Sequence, residues 1–298
     1  MIEVQNLEKK FGNFKALDGC NMTVKDGSVY GLVGPNGAGK STIIRHLTGV
    51  FTQDAGIVKI DGEDIRDNVS IKEKVAYIPD DWFYYNQATV GDMKRLYSGM
   101  YPTWSEERYK KICPIFGISE KQQIRRLSKG MQKQVAFMMT ISSMPKYLVL
   151  DEPVDGLDPV MRRNVWSLMM EDVSERKTTV LVSSHNLREL EDVCDHVGII
   201  NKGKVMIERS LSDLQDNMVK LQVVWQEGVE NLPEKLPVMN VQKMGRVWTI
   251  IMNMKPEEAI ARINMYNPVM VEALPLTLEE IFIYEMGGND FNAKEILF

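Results

Sequence analysis

Gly34-Pro35-Asn36-Gly37-Ala38-Gly39-Lys40-Ser41-Thr42 is a complete G-x-x-x-x-G-K-[ST] loop, and its flanks fix what it joins. Val29-Tyr30-Gly31-Leu32-Val33 before it is mostly apolar and β-prone, while Ile43, Ile44 and Leu47 after it suit one face of a helix. A strand running through a tight loop into a helix aims successive backbone N–H groups at one point, where the positive end of the helix dipole attracts anions. Glycines at 34 and 39 allow backbone angles and close approach that a Cβ would block. Lys40 is expected to reach the β- and γ-phosphates as a point charge, and Ser41 to place its hydroxyl on Mg²⁺. The loop thus predicts a nucleoside triphosphate site formed by Gly34, Asn36, Gly37, Ala38, Gly39, Lys40, Ser41 and Thr42.

The surrounding pattern is that of an α/β protein. Residues 1–78 read mainly as short strands with turns at Asp26-Gly27 and Asp61-Gly62, interrupted by the loop and helix at 34–48. From about 86 to 145 the pattern becomes helical, with aromatics at Tyr97, Tyr101, Trp104 and Tyr109, as for an inserted subdomain. A buried strand at 147–150, a helix over about 159–175 and a strand beginning at 178 restore the alternation, which predicts a parallel sheet covered by helices. After about 210 the character changes again. Strand-like runs at 221–225 and 247–251, a helix start at Pro256 and a capping box at Thr277-Leu278-Glu279-Glu280 predict a small α+β appendage. The expected division is 1–210 and 211–298.

Composition narrows the function. With 298 residues and 44% hydrophobic content the chain can bury real cores. Its net charge of −5 argues against a general nucleic-acid binder, so no nucleic-acid partner is expected. The widely spaced Cys20, Cys113 and Cys194 form no C-x-x-C pair and suit a reducing cytoplasm. No apolar run reaches 18 residues and Met1-Ile2-Glu3-Val4 starts no leader, so neither a membrane span nor export is expected. The 20 methionines read as adaptable core filling.

The strand at 147–150 ends in Asp151-Glu152-Pro153, and ligands of open α/β sheets sit at the carboxyl ends of strands. Adjacent strand residues project to opposite sides, so the two carboxylates are expected to do different work. Asp151 would hold Mg²⁺, directly or through water, and Glu152 would polarise the attacking water. An Asp-Glu pair is also an ordinary turn or helix-start signal. Beside a phosphate loop the functional reading is preferred.

Taken in order, the phosphate loop, Leu127-Ser128-Lys129-Gly130-Met131-Gln132, Leu150-Asp151-Glu152-Pro153, Gly156-Leu157-Asp158-Pro159 and His185 resemble the ATP-binding subunits of ABC transporters, of prokaryotic exporter type. The resemblance covers residues 1 to about 210. It implies a P-loop NTPase core with a helical insertion, ATP and Mg²⁺ as ligands, and hydrolysis that drives a separate transmembrane permease subunit. It implies a dimer with an identical or related ATPase subunit. Such a subunit is cytoplasmic and sits on the inner face of the membrane through its partner. Ser128 and Gly130 take the place of the signature segment that meets the γ-phosphate held by the opposite subunit. Ser128 is a good N-cap and Gly130 permits close approach. Asp158 falls in the loop that communicates between the sites, His185 at the switch position, and Phe11 at the aromatic that stacks on adenine. Phe14 competes for that role, and a core position is open for either. His46 and His196 read as packing or surface residues.

Two departures stand out. Lys129 and Met131 replace glycine and glutamine of the family's signature, and Lys129 either adds charge near phosphate or faces solvent. Asp80 stands where the family carries a glutamine that senses Mg²⁺; it can hold water or metal but brings a negative charge. Trp82-Phe83-Tyr84-Tyr85 follows, either as core packing of the insertion or as the wall of a groove for the membrane subunit. The alternative functions are a soluble ABC-type ATPase acting on translation or DNA, and a regulatory nucleotide-binding subunit.

Overall fold

Alternation of buried and open residues makes the first sheet one-sided. In β1 (Ile2–Phe11) and β2 (Phe14–Val24), Ile2, Val4, Leu7, Leu17, Cys20 and Met22 are buried. With β4 (Ala55–Ile60) and β5 (Glu63–Asp64) these strands form an antiparallel sheet of order β2-β1-β4-β5. The turn between β4 and β5 is Asp61-Gly62, with φ of 59° and 78°, as a two-residue hairpin turn of this hand requires. The structure, a computed structural model, describes residues 1–80, 84–211, 213, 217–229, 232 and 236–286.

β3 (Val29–Val33), β7 (Tyr147–Asp151) and β8 (Thr179–Ser184) are buried at every residue, as strands covered on both faces must be. With β6 (Val75–Ile78), β9 (His196–Asn201) and β10 (Lys204–Ser210) they form a six-stranded sheet of order β10-β9-β3-β8-β7-β6. The pairs β3/β8, β3/β9, β7/β8 and β6/β7 are parallel. Register places Val33 beside Ser184 and Asp151 beside Ser183, so the carboxyl ends of three neighbouring strands lie level. β9 and β10 were not legible in the sequence. Gly198 interrupts the apolar run of β9, yet a Cβ there would lie 2.0 Å from the Tyr30 hydroxyl, so the ring on β3 demands the glycine.

α1 (Lys40–Leu47) buries Ile43, Ile44 and Leu47, the face expected of it. A short α2 (Val69–Lys72), capped by Asn68, was not anticipated in this strand-rich stretch. The inserted segment contains α3 (Val90–Met100), α4 (Glu106–Phe116) and α5 (Lys129–Ser142), each begun by a side-chain cap from Thr89, Ser105 or Ser128. α6 (Pro159–Arg176) follows β7 and is capped by Asp158.

The chain divides into two compact units, Met1–Asn186 with Val193–Glu208, and Leu187–Asp192 with the chain from Arg209 onward. The second unit holds β11 (Val219–Val224), β12 (Val238–Met244), β13 (Val247–Met252) and β14 (Met270–Leu274) in the order β12-β13-β11-β14. It also holds α7 (Pro256–Asn264) and α8 (Leu278–Met286). Its core centres on Trp225 and Trp248, whose rings meet edge to face at 5.8 Å, with Leu221, Ile250 and Ile263. The capping box before α8 forms in both directions: Thr277 N donates to Glu280 Oε2 at 3.1 Å and Glu280 N to Thr277 Oγ1 at 3.2 Å. Among the described residues no helix is long and apolar enough to cross a membrane.

Candidate functional site

The phosphate loop leaves β3 and returns as the first turn of α1. Gly34 has no room for a side chain, since a Cβ would lie 2.2 Å from Ile200 O. Gly39 has φ of 114°, and its Cβ would come within 2.9 Å of Leu17 Cδ2. Lys40 is buried with its ammonium turned inward: Nζ lies 2.6 Å from Gly34 O and 3.2 Å from Glu152 Oε1. Asn36, Gly37, Gly39, Lys40, Ser41 and Thr42 line a cleft of about 300 Å³, shared with Phe11, Phe14, Asp80 and Glu152. Gly34 and Ala38 are buried and do not line it; the Ala38 N–H is committed to Pro35 O at 3.1 Å. Phe11 and Phe14 are 44% and 63% exposed, so neither occupies the core position left open by the sequence. Both rings flank the cleft, and Phe11 also meets Phe51 at 5.4 Å.

β7 ends at Asp151, and the chain turns sharply at Glu152, whose φ is 46°. The two carboxylates therefore part because the backbone turns, and not through strand alternation as the sequence reading assumed. Asp151 is buried and accepts from Ser183 Oγ at 2.6 Å. Glu152 faces Lys40 through Oε1 and His185 through Oε2, with Nδ1 at 3.0 Å and the His185 N–H at 3.3 Å. Its own N–H donates to Ser183 O at 3.2 Å. A carboxylate fixed between an ammonium and an imidazole can orient a water while its neighbour Asp151 stays available for other work. Ser41 and Asp80 add oxygen donors to the cleft, a set of hard ligands that suits Mg²⁺. Glu152, Asp155 and His185 also bring ligand atoms within 4.8 Å of one another.

A sequence profile described as ABC transporter matches residues 17–155. The ABC transporter ATP-binding protein YtrB of Bacillus subtilis is 28% identical over 97% of this chain and 99% of its own. The lantibiotic transport ATP-binding protein SrtF of Streptococcus pyogenes is 32% identical over 74% of this chain and 95% of its own. The chain belongs to the ABC transporter family, as an ATP-binding subunit. A solved ATP-binding subunit of an ABC transporter shares the fold of this cassette with a TM-score of 0.66 and 28% identity, over 72% of this chain and 92% of that one.

The cassette keeps its remaining predicted residues away from the cleft. Ser128 Oγ accepts from Met131 N at 3.2 Å at the start of α5, and Asp158 Oδ1 accepts from Val160 N and Met161 N at 3.0 Å each. Gly130 fits closely against the loop after β7, where a Cβ would lie 2.9 Å from Gly156 O. None of Ser128, Gly130 and Asp158 lines the phosphate cleft. Lys129 is exposed, as both of its readings require. Of the aromatic run, Trp82 and Phe83 lie outside the described residues. Tyr84 is buried and donates to Gln132 O at 2.8 Å, while Tyr85 is 66% exposed. His46, in the last turn of α1, is buried, and burial pushes its pKa down against a contact with Thr42 O. Sequence reasoning missed Lys133, which donates to Glu152 O at 2.7 Å. Its signal was a charge two residues ahead of the apolar run Val135-Ala136-Phe137-Met138-Met139 on the same helix.

Proposed function

We propose that this cassette hydrolyses ATP between two subunits and uses the cycle to drive a separate membrane permease. The observation that carries the reading is the Glu152 carboxylate held between Lys40 and His185 at the level ends of neighbouring parallel strands. In this reading Phe11 stacks on the base, Lys40 and the loop amides bind the phosphates, Glu152 takes the proton of the attacking water and His185 steadies the γ-phosphate. Ser41, Asp151 and Asp80 would hold Mg²⁺, which neutralises charge building on the transferring phosphoryl group. The exposure of Ser128, and the place of Ser128 and Gly130 outside the cleft, fit their use by a second, identical or related, subunit, with Asp158 between the two sites. Residues 1–210 then act as the ATP-binding domain and 211–298 as an accessory domain, with no nucleic acid involved.

A second cleft, of about 360 Å³, supports the membrane partnership. Its walls include Val50, Val69 and Met100, which are 61%, 67% and 57% exposed. Apolar side chains so exposed around a groove suit a helix of the permease subunit, which would keep the cassette on the cytoplasmic face of the membrane. The test is ATP hydrolysis by the purified chain, its mass with ATP–Mg²⁺ against ADP–Mg²⁺, and identification of membrane proteins that co-purify in mild detergent. Absence of hydrolysis in the presence of the co-purified partner would refute the ATPase reading.

A further inference from the structure

Lys133 lies in the first turns of α5, the helix begun by Ser128, and its side chain is only 7% exposed. A buried ammonium is costly unless its protons find partners. Here they are specific. Nζ donates to Glu152 O at 2.7 Å and to Asp155 O at 3.1 Å, and stands 3.9 Å from Asp80 Oδ1. Burial pushes its pKa down, and the carboxylates of Asp80, Asp155, Glu152 and Asp151 oppose that shift.

The two accepting carbonyls bracket the turn after β7, whose first residue, Glu152, holds φ of 46°. A residue with a Cβ keeps that conformation only where its surroundings impose it. One cation gripping both ends of the turn supplies such a constraint. Asp80, two residues beyond the end of β6, faces the same cation, so α5, the turn after β7 and the loop after β6 meet at one nitrogen.

We propose that Lys133 is a positioning residue for ATP hydrolysis: it holds the turn 152–155 so that the Glu152 carboxylate stays between Lys40 and His185, and Asp80 acts on Glu152 through it. The inference rests on the reading of Glu152 as the base.

The test compares turnover and ATP affinity in the full chain. Lys133→Met keeps the length and loses the donors; it is expected to lower kcat roughly 10- to 100-fold, as misplacing a catalytic group does, with ATP affinity changed less than about threefold. Lys133→Arg, which keeps charge and donors, should recover most of that loss. Asp80→Asn should alter kcat in the wild-type background and have a clearly smaller effect beside Lys133→Met, the remainder being its share in holding Mg²⁺. Wild-type kcat in Lys133→Met, or equal losses of affinity and turnover, overturns the proposal. Should Lys133→Met not fold, Lys133→Gln replaces it in the same cycle, and an undiminished effect of Asp80→Asn there overturns it. Glu152→Gln is the control: normal turnover in that variant refutes the base itself, whereas slow turnover there with normal turnover in Lys133→Met refutes only the role of Lys133.

Discussion

Lys40 Nζ and Glu152 Oε1 lie 3.2 Å apart, with their side chains 6% and 10% exposed. The pair ties the loop after β3 to the turn after β7. Where water is largely excluded the attraction is weakly screened, and removing one partner leaves a buried charge uncompensated.

Lys40→Ala should weaken ATP binding by at least about tenfold, because a charge-assisted contact to phosphate is worth roughly 1.5–3 kcal/mol. Equilibrium titration with a fluorescent ATP analogue reads this directly. Near-normal affinity would remove Lys40 from the phosphate site.

Glu152→Gln keeps the shape and loses the base. Hydrolysis should slow by ~10²-fold or more while ATP still binds. ATP should then remain between subunits, giving a dimer whose population follows ATP concentration. Light scattering with ATP–Mg²⁺ and with ADP–Mg²⁺ checks this, and a monomer under both conditions would count against the shared site.

Gly34→Ala and Gly99→Ala should act with opposite signs. A Cβ at Gly34 would strike Ile200 O at 2.2 Å, so the chain should lose about 1–3 kcal/mol of stability to overpacking. Gly99 lies in α3 with nothing within 4 Å of a Cβ, and alanine there should add roughly 0.5–1 kcal/mol. Denaturant midpoints of the two variants decide the matter, and a shift in the same direction for both would contradict it.

Asp61 makes stability pH-dependent. It accepts from Lys146 Nζ at 2.6 Å, Tyr147 Oη at 2.8 Å and Lys74 Nζ at 3.2 Å, and the Lys146 contact foremost holds its carboxyl well below the usual range. The folded value is depressed, so the contribution is complete above the unfolded value of about 3.9 and is lost as pH falls through the folded one. Asp61→Asn should therefore lower the thermal midpoint near neutral pH, with the gap closing in strong acid. A gap independent of pH would show that the carboxylate charge plays no part.

Val69→Glu should reduce capture of the membrane subunit while leaving ATP turnover of the isolated chain intact, since Val69 lies on the second cleft, away from the phosphates. Detergent pull-down beside an ATPase assay separates the two effects. Unchanged capture would place the docking surface elsewhere.

Local chemistry made much of the chain readable. The loop at 34–42, the helix face of Ile43, Ile44 and Leu47, the buried runs of β3 and β7, and the caps at Ser128, Asp158 and Thr277 depend on residues a few positions apart. Hydrophobic period, φ preference and N-cap chemistry operate over that range. The strand-end position beside the phosphate loop then supplied a role for Glu152, and the family resemblance one for His185, in advance of any geometry.

Tertiary structure decided what depends on distant neighbours. Parallel register brings Gly34, Glu152 and His185 to one level, and no local signal encodes which strands pair. β9 escaped notice because its glycine is explained only by the Tyr30 ring above it. Tyr84 turned inward because Gln132 O, on a helix far along the chain, accepts its proton. Lys133 acquired its role only when folding placed two carbonyls and Asp80 around its nitrogen. In each case the sequence determined the chemistry a residue could offer, and the packing of elements remote in the chain determined what that chemistry would meet, because burial and hydrogen bonding are settled by whatever folding brings alongside.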